Sequence, residues 1–214
     1  MVENLVKPLK VRNHQKISRK EIPLCSYEDF YRTLHYYLQN PHIHCVSYFA
    51  FREGQKLRFL CALANDEEKT LYLLSHRREM MESAPLRALT AEFPGMHIFE
   101  REMAENFGIP FENHPWLKPV RYSRNRHDPK ATMESYPFYR IEGEELHEVG
   151  VGPIHAGVIE PGHFRFTCAG ELVLHLEIQL GWQHRGVETL FLEKKRLLER
   201  ALLAEQIAGD TAVG

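Results

Sequence analysis

No apolar run in the 214-residue chain approaches the length a membrane-spanning helix needs, about eighteen residues. The opening Met1-Val2-Glu3-Asn4 lacks the basic start and apolar middle of a signal peptide. These two absences set the expectation of a cytoplasmic protein. An excess of basic residues is missing as well: 27 Lys and Arg stand against 29 Asp and Glu, a net charge of -2. A phosphate-binding surface usually leaves a basic surplus, so nucleic acid is not expected as the main partner. Cysteine is scarce and scattered. Cys25, Cys45, Cys61 and Cys168 show no Cys-x-x-Cys spacing, which excludes the usual zinc and disulfide patterns and leaves buried free thiols as the expectation. The 13 histidines are spread out, with His42 and His44 the only close pair, so no metal site is expected.

What is present is an ordinary globular composition, 43% hydrophobic and 26% charged, enough for one large domain or two small ones. Residues 1–20 are polar and basic, carrying Lys7, Lys10, Arg12, Lys16, Arg19 and Lys20, and read as a flexible arm that is loose or lies on a partner. From Ser26, Phe30, Leu34, Tyr37 and Leu38 recur at helical spacing until Asn40-Pro41 stops them. Three strand-like runs, 44–52, 56–64 and 70–76, separated by Glu53-Gly54-Gln55 and Asn65-Asp66-Glu67, predict an antiparallel meander. Two short helices are expected over 83–92 and 97–107, broken by Pro94-Gly95. The fold class is therefore α+β, with a first domain over 21–117.

Between 118 and 140, Lys118, Arg121, Arg124, Arg126 and Lys130 are interrupted by Pro119 and Pro129 and apolar periodicity vanishes, which predicts a linker or a strap. The acidic run 142–148 follows. It can pair with those basic residues or with a separate surface. Strands over 164–168 and 171–179 flank an Ala169-Gly170 hairpin turn, and one helix from Val187 carries the stripe Leu190, Phe191, Leu197, Leu198, Ala201 and Leu202. A hairpin and one helix make a poor core, so 141–214 reads as the opening of a longer domain, with a boundary at Ala212-Val213-Gly214.

Three segments concentrate charged and titratable groups. In 99–117, Arg101 and Glu105 at i, i+4 can pair and Gly108 ends the helix. In 152–165, Gly152 and Gly157 permit positive φ, while His155, Glu160, His163 and Arg165 share one loop and strand entry. Beside Ile159 and Phe164, Glu160 would have its pKa raised, which suits proton transfer; the alternative is that it pairs with Arg165 or His163. In 181–188, Glu188 falls where a strand gives way to a helix, at the positive end of the helix dipole.

The run Glu100-Arg101-Glu102 followed by Glu105, Phe107-Gly108-Ile109 and His114-Pro115 resembles the small hydrophilic subunit of complex I, the respiratory-chain NADH dehydrogenase, over roughly residues 26–117. In that family the protein holds no cofactor and the segment helps dock it against its neighbours, which implies docking roles for Arg101, Glu102 and His114. Ile159-Glu160-Pro161-Gly162-His163-Phe164-Arg165 and Gly181-Trp182-Gln183-His184-Arg185-Gly186-Val187-Glu188 resemble the start of the large subunit shared by nickel-iron hydrogenases and the quinone-reducing arm of complex I. The hydrogenase pattern, Arg-Ile-Glu-Gly-His-Leu-Arg, points to Glu160 as a proton relay. It carries Val158 here in place of its first Arg and Pro161 inserted. The complex I version of the same large subunit points instead to His163 as a quinone contact. The second motif, with Trp182 in place of Tyr, implies that His184 and Arg185 lie near a partner's iron-sulfur cluster, with structural pairing as the alternative.

A region like the small hydrophilic subunit ahead of one like the large subunit resembles the fused large subunit of formate hydrogenlyase and hydrogenase-4, the group 4 membrane-bound hydrogenases. One departure matters. Nickel-binding members read Glu-Arg-Val-Cys-Gly-Ile-Cys where this chain reads Glu205-Gln206-Ile207-Ala208-Gly209-Asp210-Thr211. Ala208 and Thr211 supply no thiolate, so an ordinary nickel-iron site is not expected. The resemblance implies a component of a membrane-associated oxidoreductase, peripheral to the inner face of the cell membrane. It would hold no cofactor itself and would work with a small iron-sulfur subunit, membrane subunits and an acceptor such as quinone. The alternative is a scaffold or assembly module that has lost the redox site.

Overall fold

In the computed structural model, residues 5–207 are described, and the chain divides into two compact units, Met1–Lys118 and Pro119–Gly214. The first unit runs β1 (Leu9–Arg12), β2 (Leu24–Cys25), α1 (Tyr27–Leu38), β3 (Ile43–Glu53), β4 (Lys56–Asn65), β5 (Thr70–Glu79), β6 (Leu86–Arg87), α2 (His97–Phe107) and β7 (Phe111–Glu112). The second runs β8 (Leu146–Val151), β9 (His163–Ala169), β10 (Leu172–Gln179), α3 (Val187–Glu193) and α4 (Leu197–Ala204). Mixed α/β structure with antiparallel sheets and four described helices agrees with the expected α+β class. No described helix is long and apolar enough to cross a membrane.

The predicted meander is the spine of the first unit. β3, β4 and β5 pair antiparallel in sequence order, from Glu53↔Lys56 and Lys56↔Glu79 at one end to Ile43↔Asn65 and Asn65↔Thr70 at the other. On one face the core gathers Phe30, Leu34, Tyr48, Phe59, Leu74 and Met103, drawn from both helices and all three strands. Ser26 caps α1, its hydroxyl accepting from the Asp29 N–H at 3.1 Å. Gly108 ends α2 at φ 66°, its N–H donating to the Ala104 carbonyl at 2.8 Å.

The flexible-arm expectation fails at β1, which pairs antiparallel with β5 through Leu9↔Leu73 and Val11↔Leu71. Alternation within the basic run explains this. Leu9 and Val11 join Ile22 and Leu73 in a small second core, while Lys10 reaches Glu68 at 2.6 Å. The helix expected over 83–92 is also absent. There, β6 pairs parallel with β7, and the Leu89 and Thr90 N–H groups donate to the Glu100 carboxylate rather than back into a helix.

In the second unit the predicted hairpin gains a third strand, in the order β10-β9-β8. The acidic segment thus supplies a strand, and Glu148 pairs with Arg165 across it. Gly170-Glu171 forms the hairpin loop, with Gly170 at φ 56°. The single helix expected from Val187 is split at Lys194, which is extended (ψ 124°). Three consecutive cations, Lys194, Lys195 and Arg196, occupy the break, and Arg200 donates to the freed Lys194 carbonyl at 2.8 Å.

Candidate functional site

The three charged segments have different surroundings. In the first unit, α2 turns Glu100 and Arg101 inward, to 0% and 3% exposure. Glu100 accepts from the Leu89 N–H at 2.7 Å, the Thr90 N–H at 3.2 Å and the Thr90 hydroxyl at 2.6 Å. Burial pushes its carboxyl above the ordinary range, and those three donors partly oppose the shift. Arg101 donates through Nε to the Lys118 carbonyl at 2.7 Å, and its Nη1 lies 3.4 Å from His97 Nδ1.

His114 lies beside this pair with its side chain fully enclosed, Nε2 being 3.8 Å from Glu100 Oε2. Its Nδ1 accepts from the Trp116 N–H at 3.0 Å, which places the neutral ring's proton on Nε2. Burial, reinforced by Arg101, pushes its pKa down to about 4. Arg101 and His114 therefore fasten segment 108–118 onto α2 from within, and Glu102 is the half-exposed member of the set. Glu100, which the charge pattern did not single out, is the most deeply held of the group. The Glu-Arg-Glu run marked its place in the sequence but not its burial.

The second segment is a loop closed on itself at the mouth of β8 and β9. His155 Nε2–H donates to the Gly162 carbonyl at 2.8 Å, and His163 Nδ1–H to the Gly152 carbonyl at 3.3 Å. Gly152 sits at φ 87°, and a Cβ there would collide with the Gly162 carbonyl oxygen, so only glycine fits. His163 opens β9, edge-on to Phe138 at 5.6 Å. With its Nδ1 donating, Nε2 is the ring's proton-accepting atom.

Glu160 is on the outside of this loop. The apolar enclosure expected around it is missing: Glu160 is exposed and Ile159 is 70% exposed. The pairing alternative fails for Arg165, which meets Glu148 and stacks on Phe138 at 4.6 Å. The loop thus offers an anchored imidazole and a solvated carboxylate.

In the third segment, Gly181 turns β10 toward α3, and the His184 N–H closes the turn onto the Gly181 carbonyl at 3.0 Å. His184 and Arg185 are exposed, and Arg185 donates to the Ile207 carbonyl at 2.9 Å. Both line a cleft of about 610 Å³ with Tyr122, Arg124, Asn125 and Thr189. Glu188, at the start of α3, takes a forked ion pair from Arg121, which holds its carboxyl below the ordinary range. Sixty-seven residues separate that pair, so no local pattern signalled Arg121 as its partner.

Among the described residues, no group of three or more His, Cys, Asp or Glu side chains is placed to hold a metal ion. His42 and His44 pair with separate acids, Glu67 at 3.4 Å and Asp66 at 3.3 Å. The four cysteines are free thiols. Ala208 and Thr211, on which the nickel argument rests, lie outside the described residues, as does Ala212-Val213-Gly214.

Hydrogenase-4 component G of Escherichia coli (strain K12) is 27% identical to the chain over 145 residues, 60% of this chain and 26% of that protein. Formate hydrogenlyase subunit 5 of the same strain is 32% identical over 140 residues, 57% of this chain and 25% of that protein. The membrane-bound hydrogenase subunit alpha of Pyrococcus furiosus is 32% identical over 62 residues, 29% of this chain and 14% of that protein. The chain spans about a quarter of the length of the two Escherichia coli relatives. Residues 24–137, more than half the chain, match the family described as respiratory-chain NADH dehydrogenase, 30 Kd subunit, and the chain belongs to that family.

Proposed function

We propose that the chain is part of one polypeptide of a membrane-associated oxidoreductase complex of the formate hydrogenlyase and hydrogenase-4 kind. In this reading residues 21–117 form the domain like the small hydrophilic subunit of complex I, and residues 118–140 the linker. Residues 141–214 open a domain like the large subunit of hydrogenases and of the quinone-reducing arm of complex I. The complex would sit at the inner face of the membrane through its membrane subunits. The chain would dock a small iron-sulfur subunit and help couple electron transfer to proton movement. The observation that carries the reading is the likeness, over more than half the chain, to components of two such systems.

The residues present suit this division of labour. Glu102 and the segment that Arg101 and His114 hold in place would supply a docking surface. Arg185, fixed by the Ile207 carbonyl beside His184, would place a guanidinium where a partner's cluster develops negative charge on reduction. His163 Nε2 would accept or donate a proton at the acceptor, quinone being the candidate, with Glu160 exchanging protons with solvent. The cluster would supply the one-electron chemistry, and this chain's groups would orient the partner and handle protons. With Ala208 and Thr211 at the positions of the nickel-ligating cysteines, the complex would contain iron without nickel.

Isolating the complex from native membranes through a tag on the full-length polypeptide, and measuring iron and nickel together, tests this. Iron without nickel is the expected result. Stoichiometric nickel would overturn the alignment of Ala208 and Thr211, and the absence of both metals would overturn the redox reading. One observation favours the scaffold alternative: Glu160 stands in open solvent, without the apolar enclosure that suits a carboxylate to relay work. A complex that assembles with its iron-sulfur subunit yet transfers no electrons would decide for the scaffold.

A further inference from the structure

The three-stranded sheet of the second unit is built inside out. Its register puts Val149 and Val151 of β8, Phe164 and Phe166 of β9, and Leu176 and Ile178 of β10 on one face, because Val149↔Phe166↔Leu176 and Val151↔Phe164↔Ile178 lie opposite one another. The other face carries Arg165, Thr167, Glu177 and Gln179. An antiparallel sheet with one wet face ordinarily buries its apolar side. Here the chain covers the polar side. The Tyr139 N–H donates to Glu177 at 2.7 Å and Gln179 donates to the Met133 carbonyl at 2.7 Å, leaving Glu177 and Gln179 2% and 3% exposed. The aliphatic side chains opposite, Val149, Val151, Leu176 and Ile178, remain 42–47% exposed. Both edges of the patch are strand backbone, and the patch itself contains no charge.

We propose that this apolar face is the docking surface for the remainder of a relative-length polypeptide, packed on it as the second layer of one core; this rests on the reading under Proposed function. Three observations select that occupant. The patch is uncharged across all three strands, so its cover must be apolar, as in a domain interior and unlike the mixed surfaces of transient partners. Its polar side is already closed by residues 133–139, so the missing layer is on one side only. In the two Escherichia coli relatives the matching region is 26% and 25% of the polypeptide, which leaves about three quarters of each outside it. A layer on the same polypeptide reaches the face at a high effective concentration, with no partner in solution to compete. The same unit also exposes Leu192 at 85% and Leu197 at 83%, so its helices leave apolar surface uncovered as well.

A photoreactive benzophenone side chain introduced at Leu176 of the full-length polypeptide, in complexes kept in native membranes, tests this. A control at Met81, 93% exposed in the first unit, measures general crosslinking. Irradiation followed by peptide mass spectrometry is expected to join position 176 to later residues of the same polypeptide, at least tenfold more often than position 81. Crosslinks to a second copy, crosslinks to a different protein of the complex, a yield no higher than at position 81, or a polypeptide without later residues would each overturn the proposal. The proteins and metals present in the same preparation separate the two failures. An intact iron-containing complex with crosslinks elsewhere sinks only the docking surface, whereas a preparation without the iron-sulfur subunit sinks the functional reading beneath it.

Discussion

In the first unit every long strand contributes to a closed interior, and even the buried acid and its neighbouring imidazole are engaged. In the second unit, polar side chains are sequestered under residues 133–139 while valines, leucines and isoleucines stand in solvent. Both units are built on antiparallel ladders. They differ in whether hydrophobic burial has been completed within the described residues. A sheet can have its backbone fully formed and still lack the layer that makes it stable. Packing should therefore fix the first unit and leave the second tolerant of substitution on its open face.

The largest effect should come from hollowing the closed core. Phe59→Ala is expected to cost about 3–5 kcal/mol, because Phe59 is 0% exposed at the centre of the meander. Urea unfolding would read this, and a cost under about 1 kcal/mol would contradict a closed first core. Glu100→Ala should follow at about 3 kcal/mol, since it strands the Leu89 N–H and both Thr90 donors in the interior. If thermal unfolding hardly moves, the carboxylate is not what holds segment 88–90.

Acid should weaken the first unit. His114 has its pKa lowered from 6.5 to about 4, so the folded state favours the neutral ring. Its stabilisation is complete above about pH 6.5 and is lost as pH falls toward 4. His97, also lowered by burial and by Arg101, acts in the same direction. Glu100, raised by burial, acts in the opposite sense: protonation as pH falls through its raised value relieves part of its burial cost. A plot of melting temperature against pH should fall more gently over that window for His114→Gln, and parallel curves would remove His114 from the account.

Smaller effects are expected in the second unit. Arg121→Ala should cost no more than about 1 kcal/mol, because its partner Glu188 is 71% exposed. Leu176→Ala should change the stability of the 214-residue chain by about 0.5 kcal/mol or less. A loss above about 2 kcal/mol there would mean that the apolar face is already covered in the isolated chain, and the contrast between the units would collapse.

Much of this was legible in the sequence, for identifiable reasons. The meander showed because Val, Tyr, Phe and Leu runs were bounded by turn residues at hairpin spacing, and α1 showed because Ser26 and Asn40-Pro41 bracket a helical stripe. Other elements did not show. β1 hid in a basic run because four residues of alternation are too few to stand out from six cations. The helix expected at 83–92 was lost to a contact with Glu100, on a different element. The surroundings of Glu160 were misjudged because adjacency to Ile159 and Phe164 in the chain did not bring enclosure in space.

The sequence by itself determined the α+β class, the antiparallel spine, the bounds of α1, the glycine end of α2 and the family likeness of segment 99–117. These depend on local patterns: alternation, helical spacing, capping residues and glycine turns. Only the tertiary structure decided that Glu100, Arg101 and His114 face inward, that Arg121 holds Glu188, and that the second sheet presents its apolar side to solvent. Side-chain alternation defines two faces of a strand but does not say which will be covered. That depends on which other segments of chain arrive to bury them.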